Sequence, residues 1–380
     1  MNFQKLKEKF LIQTLRKIRT LSFQLLSNSF MKYSFSKHIT IGNKVISNDH
    51  PAFIIAEAGV NHGGDVNLAK ELIDIAVQSG ADAVKFQAFK TENLILESVE
   101  KAPYQQQTTS ASESQFNMLK KLELRKDQYQ ELKDYCEQKG IIFLITPFDK
   151  FSLGQLEELG VEAYKVASTD TTNLPFLKKI ALTGKPILLS TGMSFLDEVK
   201  SAMQTIHEFN KDVVILQCTA NYPIEDSEAN LNVMDTYGAE FGGLVGYSDH
   251  SVGLGAAPYA VAKGAKVVEK HFTIDKLADG PDHRASLDPA QLKEFVLEVR
   301  RIELFLGSSE KKPTNSEMHT RKSLQKYLVA ARTIKAGALI KEEDLVAKRT
   351  GGVGISPIKY LDLVGTIAKR DFNINDIIDA

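Results

Sequence analysis

Leu244-Val245-Gly246-Tyr247-Ser248-Asp249-His250, a helical stretch, and then Lys266-Val267-Val268-Glu269-Lys270-His271 carry the architecture: two short apolar runs, each ending abruptly in ionisable residues. The pattern recurs upstream in Phe53-Ile54-Ile55-Ala56-Glu57, Ala83-Val84-Lys85-Phe86-Gln87, Ile141 to Thr146, Ala163 to Ser168, Pro186 to Thr191 and Val213 to Thr219. Strands buried on both faces read as such runs, and eight of them alternating with helices predict a closed (β/α)8 TIM barrel of the α/β class. In that fold the C-terminal ends of all the strands converge on one mouth. Polar residues gathered there are what an enzyme's active site looks like.

The 380 residues hold one barrel of about 250 residues and a modest second domain. The near-neutral charge balance, pI about 6.7, argues against a nucleic-acid partner. Only Cys136 and Cys218 are present, one in a predicted helix and one at a strand end. That excludes a disulfide framework and fits a reducing, cytoplasmic setting. No apolar run reaches the length of about eighteen residues that a membrane span needs.

Residues 1–37 stand apart, with Lys5, Lys7, Lys9, Arg16, Lys17, Arg19, Lys32 and Lys37 against the single acid Glu8. Leu11, Leu15, Ile18 and Leu25 fall near helical spacing, so this basic extension reads as an organelle transit peptide or an interfacial helix. The plainer reading, which we favour, is a dispensable tail or a start at Met31. Ile39 to Ile46 then forms a hairpin plugging the barrel bottom. The barrel domain spans 38–307. Within it, helices are expected over Val66 to Gln78, with Leu68, Leu72, Ile75 and Ala76 on one face, and over Leu124 to Gln138. Gly80, Gly140 and Gly160 sit where helices end, and Asp288-Pro289 opens the last barrel helix. Residues 308–324 are polar and charged and read as a linker. Short strand-like runs over 325–380 form a compact domain of about 55 residues, near the size at which a lone core is marginal.

His250 and His271 end adjacent strands and point into one mouth. Two neutral imidazoles bind a divalent metal and leave positions open for water and substrate oxygens, although either histidine taken alone reads as an ordinary strand-end residue. Lys85, Lys165, Thr146, Ser168, Ser190 and Ser248 supply ammonium groups and hydroxyls for a phosphate with an adjacent carboxylate. Either lysine has structural alternatives in Glu57 and Glu269, and Lys165 is also placed to be a Schiff-base nucleophile. Glu57 and Gln87 can hold sugar hydroxyls, and Glu57 can act as a general base. Gly280-Pro281-Asp282-His283 reads as a tight loop that brings Asp282 to substrate, or as a plain turn. Three readings stay open on these residues: a metal-assisted carbon-carbon bond-forming enzyme, a Schiff-base aldolase acting through Lys165, and a non-catalytic sugar-binding barrel.

At these same residues the chain resembles the sialic acid synthase family, which makes N-acetylneuraminate, legionaminate and pseudaminate. The matching stretches include IIAEAGVNHGGDVNLAKELIDIA from Ile54, ADAVKFQAFKTENL from Ala81, ITPFD, YKVAS, LLSTGM, CTANYP, GYSDHSVG, VEKHFTIDKLADGPDHRASL and AARTIKAGALIKEEDLVAKRTGGVGISP. They run in order from about Ile39 to the C-terminus. The resemblance implies a TIM barrel followed by an antifreeze-like SAF domain of the β-clip type, assembled as a domain-swapped homodimer. It implies a transferase that joins phosphoenolpyruvate to an N-acylated hexosamine, with Mn or Mg on His250 and His271. Phosphoenolpyruvate would lie on Lys85, Thr146, Lys165, Ser168, Ser190 and Ser248. The sugar would lie on Glu57, Gln87, Tyr222 and Asp282, with Arg349 from a second subunit at its N-acyl group. Two departures bear on which sugar is used. Arg349-Thr350-Gly351-Gly352-Val353-Gly354-Ile355 replaces a shorter Arg-Pro-Gly loop, and Ala220-Asn221 puts a small residue where some members place a sugar-contacting amide.

Overall fold

A computed structural model describes residues 33–109 and 113–379. The chain divides into two units at residues 306 and 307. The targeting and start-site readings of the basic extension fall mainly on residues 1–32, outside the described residues.

The first unit opens with an antiparallel hairpin, β1 (His38–Ile41) and β2 (Lys44–Ser47). Eight parallel strands follow: β3 (Phe53–Gly59), β4 (Ala83–Ala88), β5 (Ile142–Pro147), β6 (Tyr164–Val166), β7 (Ile187–Ser190), β8 (Val213–Cys218), β9 (Leu244–Asp249) and β10 (Val267–His271). Their hydrogen-bonded order is β5-β4-β3-β10-β9-β8-β7-β6, and β5 lies beside β6, so the sheet curls into a nearly closed barrel. Each strand matches one of the apolar runs. Apolar side chains on the outer face of the strands pack against the surrounding helices, as with Ile54, Val84 and Ile145 against Leu72, Leu132 and Phe295.

Inward positions follow the two-residue period of a strand. Phe53, Ile55, Ala83, Leu144, Ala163, Leu188, Val214, Leu216, Leu244 and Val267 fill the N-terminal half of the barrel, where Ile39, Ile41 and Ile46 of the hairpin pack against them. The hairpin therefore plugs the barrel bottom, as its sequence predicts.

Helix ends follow their expected chemistry. Asp65 caps the helix Val66–Ser79 by accepting from the Asn67 amide, and Gly80 closes it at φ 81°. Gly140 and Gly160 end their helices at φ 73° and 70°. Such left-handed positions suit glycine because it has no Cβ to clash with the carbonyl. Asp288 Oδ1 accepts from the Gln291 amide at 2.8 Å and starts the helix Pro289–Leu306. The buried face of Val66–Ser79 is rotated by one residue from expectation: Ala69, Leu72, Ile73 and Ala76 are covered, whereas Leu68 is exposed.

Two segments read as peripheral are ordered. Tyr33 and Phe35, placed within the extension, are buried and contact the rings of His207 and Phe241, so the packed body starts ahead of residue 38. The stretch read as a linker contains the helix Asn315–Leu324. Thr314 and Glu317 form a reciprocal capping box there, which satisfies two first-turn amides despite the polar composition.

The second unit pairs β11 (Lys326–Ala330) with β12 (Leu345–Arg349) antiparallel. Isolated bridges join Val329 to Ile377, Ile334 to Phe372 and Leu339 to Ile367. Leu328, Ala330, Ile334, Ile340, Ala368, Phe372 and Ile378 make its small core.

Candidate active site

Beyond the apolar layers, the same inward positions become polar. Glu57, Lys85, Gln87, Thr146, Lys165, Ser190, Cys218, Ser248, His250, Glu269 and His271 line a cavity of about 660 Å³, joined by Ser168, Tyr222 and Asp282 from the loops. Every barrel residue expected in the site is thus brought to one mouth. Arg349 lies in the second unit, exposed at the end of β12.

The centre of the cavity is a cluster of two carboxylates and two ammonium groups. Lys85 Nζ is 2.9 Å from Glu57 Oε1 and 3.6 Å from Glu269 Oε2, and it donates to Thr146 Oγ1 at 3.0 Å. Lys165 Nζ is 3.6 Å from Glu269 Oε1 and donates to the Val166 carbonyl at 3.2 Å. Ser248 Oγ donates to Glu269 Oε1 at 2.9 Å, and Gln87 Nε2 donates to Glu57 Oε1 at 3.2 Å. Glu269 is the member that the sequence reading offers only as a structural partner for the lysines, not as a site residue. Its signal is the alternation itself: two residues before His271 on the same strand, it must face inward with it.

Burial opposes charge throughout, and local partners decide the outcome. Glu57 is pushed up to about 7 by burial, with Lys85 working against the rise and Glu269 adding to it. Glu269 suffers the same burial but is held down at about 2 by Lys165, Lys85 and His271 together with the Ser248 hydroxyl. Burial disfavours charge on Lys85, yet Glu269 and Glu57 outweigh it and raise its pKa. Lys165 moves the other way, because burial exceeds the support it draws from Glu269. Two ammonium groups thus face one firmly ionised carboxylate and one that titrates near neutrality. The cluster therefore carries a small net positive charge, which favours a small anion.

Ser190 Oγ, Glu57 Oε2, Glu269 Oε2 and His271 Nδ1 are buried without a hydrogen-bond partner among the described residues. Four such atoms around one cavity mark a place built to meet a ligand rather than a finished core. Ser168 Oγ accepts from the Gly192 amide at 2.9 Å at the cavity edge.

The His250 and His271 ring centroids are 5.4 Å apart, and the Tyr222 ring lies against His250 with centroids 4.0 Å apart and the planes tilted by 37°. His250 Nδ1 lies 2.7 Å from the Thr219 carbonyl, so this nitrogen carries the proton and Nε2 is the one left to coordinate. Burial and the neighbouring His250 hold the pKa of His271 well below the usual imidazole value, keeping it neutral. Its Nδ1 is 3.7 Å from Asp282 Oδ2. Asp282 is itself buried, rather than displayed on an outer turn, and burial raises its carboxyl to about 6. The two imidazoles fit a divalent cation with open positions, His250 in its neutral form, which burial favours but the adjacent Cys218 opposes by raising its pKa. No group of three or more candidate ligands occurs among the described residues.

Residues 72–311 match the NeuB family and residues 325–380 match the SAF domain. The N,N'-diacetyllegionaminic acid synthase of Campylobacter jejuni is 45% identical, over 86% of this chain and 98% of that protein. The protein of the same name from Legionella pneumophila is 44% identical, over 83% and 89%. Among solved structures, the N-acetylneuraminic acid (sialic acid) synthetase of Leptospira borgpetersenii, in complex with citrate, superposes with a TM-score of 0.66. It is 36% identical and covers 76% of this chain and 98% of its own.

Proposed function

The chain belongs to the NeuB family, and from that premise we propose that it condenses phosphoenolpyruvate with an N-acylmannosamine-type sugar and water, releasing inorganic phosphate and a nine-carbon α-keto acid. The names of the two bacterial relatives favour N,N'-diacetyllegionaminic acid as that product, and the solved neighbour's favours N-acetylneuraminic acid. The observation that carries the reading is the set of buried lysines, hydroxyls and paired histidines around one cavity.

Lys85 and Lys165, with Thr146, Ser168, Ser190 and Ser248, bind the phosphate and carboxylate of phosphoenolpyruvate. Glu57, Gln87, Tyr222 and Asp282 hold the open-chain sugar. His250 Nε2 and His271 would hold the divalent cation, Mn or Mg, which when bound supplies Lewis acidity to a carbonyl oxygen. The enol π pair of phosphoenolpyruvate forms the bond from C3 to the aldehyde carbon, whose own π pair moves onto the aldehyde oxygen. Positive charge then develops at C2, beside the ionised Glu269. Water adds at C2 and gives its proton to Glu57, whose pKa of about 7 leaves it able to accept one at neutral pH. The hemiketal hydroxyl then becomes the C2 ketone as the carbon-oxygen bond to phosphate breaks, its proton leaving with the phosphate. Glu57 passes on the proton from water to the former aldehyde oxygen, and the lysines meet the charge on the departing phosphate.

The reading extends to a homodimer in which Arg349 of one subunit reaches the sugar's N-acyl group at the other's barrel. The exposed position of Arg349 is compatible with that task. A reducing, cytoplasmic compartment accords with two buried cysteines that form no disulfide and with no helix among the described residues being long and apolar enough to cross a membrane.

The test is phosphate release with phosphoenolpyruvate and a panel of N-acylhexosamines. Release should require both substrates, stop with EDTA and return with Mn²⁺. Release indifferent to EDTA, together with a borohydride-trapped adduct on Lys165, would replace this mechanism by Schiff-base chemistry.

A further inference from the structure

One buried ion pair belongs to neither the cavity nor the apolar layers. Asp249 and Lys270 are each 1% exposed, and Lys270 Nζ lies 3.1 Å from Asp249 Oδ2. They are register partners on β9 and β10, and they point away from the cavity that Ser248, His250, Glu269 and His271 line. One step further along the same parallel ladder, His250 and His271 fall side by side. The ion pair is therefore the cross-strand contact directly behind the two histidines.

Its remaining bonds all go to the segment that follows His250, to its backbone and to the Ser251 hydroxyl. Asp249 Oδ1 accepts from the Ser251 amide at 2.9 Å and from the Ser251 hydroxyl at 2.5 Å, and Oδ2 accepts from the Ala257 amide at 3.0 Å. Lys270 Nζ donates to the Ser251 carbonyl, and Ser251 Oγ accepts from the Ala256 amide at 3.0 Å. Ser251 is thus tied through its amide, carbonyl and hydroxyl. Gly255 closes the knot: at φ +65°, a Cβ there would sit 2.0 Å from Ser251 Oγ and 2.7 Å from both Asp249 Oδ2 and Lys270 Nζ.

A buried ion pair is weak support for stability, because desolvating two charges costs about what their attraction returns, and apolar residues of similar size often replace such pairs without loss. What an apolar replacement cannot reproduce is the set of directional bonds that fix the chain on either side of His250 and immediately before His271. We propose that Asp249 and Lys270 are positioning residues for the cation site: through Ser251 and the ladder, they set the spacing and orientation of the two imidazoles. The proposal rests on the reading of His250 and His271 as cation ligands.

The experiment is an Mn²⁺ titration of the purified full-length protein, following the EPR signal of free Mn²⁺, without substrate. Three proteins are compared: wild type, the apolar double variant Asp249→Leu/Lys270→Met, and Ser251→Ala. The double variant should keep a native circular dichroism spectrum and cooperative unfolding, while its Mn²⁺ affinity falls by about 10- to 100-fold, as when outer partners of metal ligands are removed. Ser251→Ala should weaken Mn²⁺ in the same direction. A wild type that binds no Mn²⁺ overturns the cation reading itself. A wild type that binds, beside a folded double variant of equal affinity, overturns the positioning role alone. If the double variant does not fold, Ser251→Ala decides, and unchanged Mn²⁺ affinity in it overturns the proposal.

Discussion

Glu57 and Glu269 are the same side chain, equally buried around the same lysine, yet they sit on opposite sides of the usual carboxylate pKa. Both lose hydration. Glu269 recovers the loss from two ammonium groups and a serine hydroxyl, whereas Glu57 has Lys85 and feels the repulsion of Glu269. Separation of this kind divides roles: the group held near 2 is a permanent negative charge, and the one near 7 can exchange a proton. As a base, Glu57 works in its ionised form, which is populated above a pKa of about 7 rather than above 4.5. The expected outcome is that kcat/KM rises with pH through about 7 and then levels, with Glu57 responsible for that limb. In Glu57→Gln the limb should vanish and kcat should fall by about 10²-fold or more. A pH-rate profile of both proteins checks this, and a Gln variant with the same limb would move the proton to another group.

At the scale of elements, the barrel separates stability from chemistry along its axis. Ile41 is fully buried in the plug, among the N-terminal ends of the strands, while the ionisable residues occupy the other end. Ile41→Ala removes methylenes from a closed apolar layer and should cost about 2–5 kcal/mol in chemical denaturation. Below the unfolding transition, its KM for phosphoenolpyruvate should stay within about twofold of wild type, because the altered layer does not touch the site. A large change in KM with normal stability would contradict that separation. The same axial division explains what is legible without coordinates. Eight apolar runs show their two-residue period, and each ends where its side chains must become polar, so Lys85, Thr146, Lys165, His250 and His271 are found from local pattern alone. Tyr33 and Phe35 have no period to show, since only tertiary contact with His207 and Phe241 makes them core. The helix Asn315–Leu324 hides for another reason. It buries none of its residues, so no apolar stripe marks it, and only the Thr314 to Glu317 capping box could have revealed it.

For the whole molecule, the open question is whether one chain completes its own site. The barrel carries Glu57, and the second unit carries Arg349. If Arg349 serves a neighbouring subunit, Glu57→Gln and Arg349→Ala damage different chains' contributions to each mouth. Each variant alone forms dimers in which both sites are defective. When the two are unfolded together, refolded and mixed equally, about half the dimers are mixed, and each mixed dimer has one site with both defects and one with neither. Activity should therefore recover to about a quarter of wild type, provided subunits pair at random. If Arg349 instead served its own barrel, every chain would keep its single defect and mixing would restore nothing. Phosphate release by the mixture, measured beside a light-scattering mass that confirms the dimer, separates the two arrangements. A monomeric mass with full activity would remove the swapped assembly altogether.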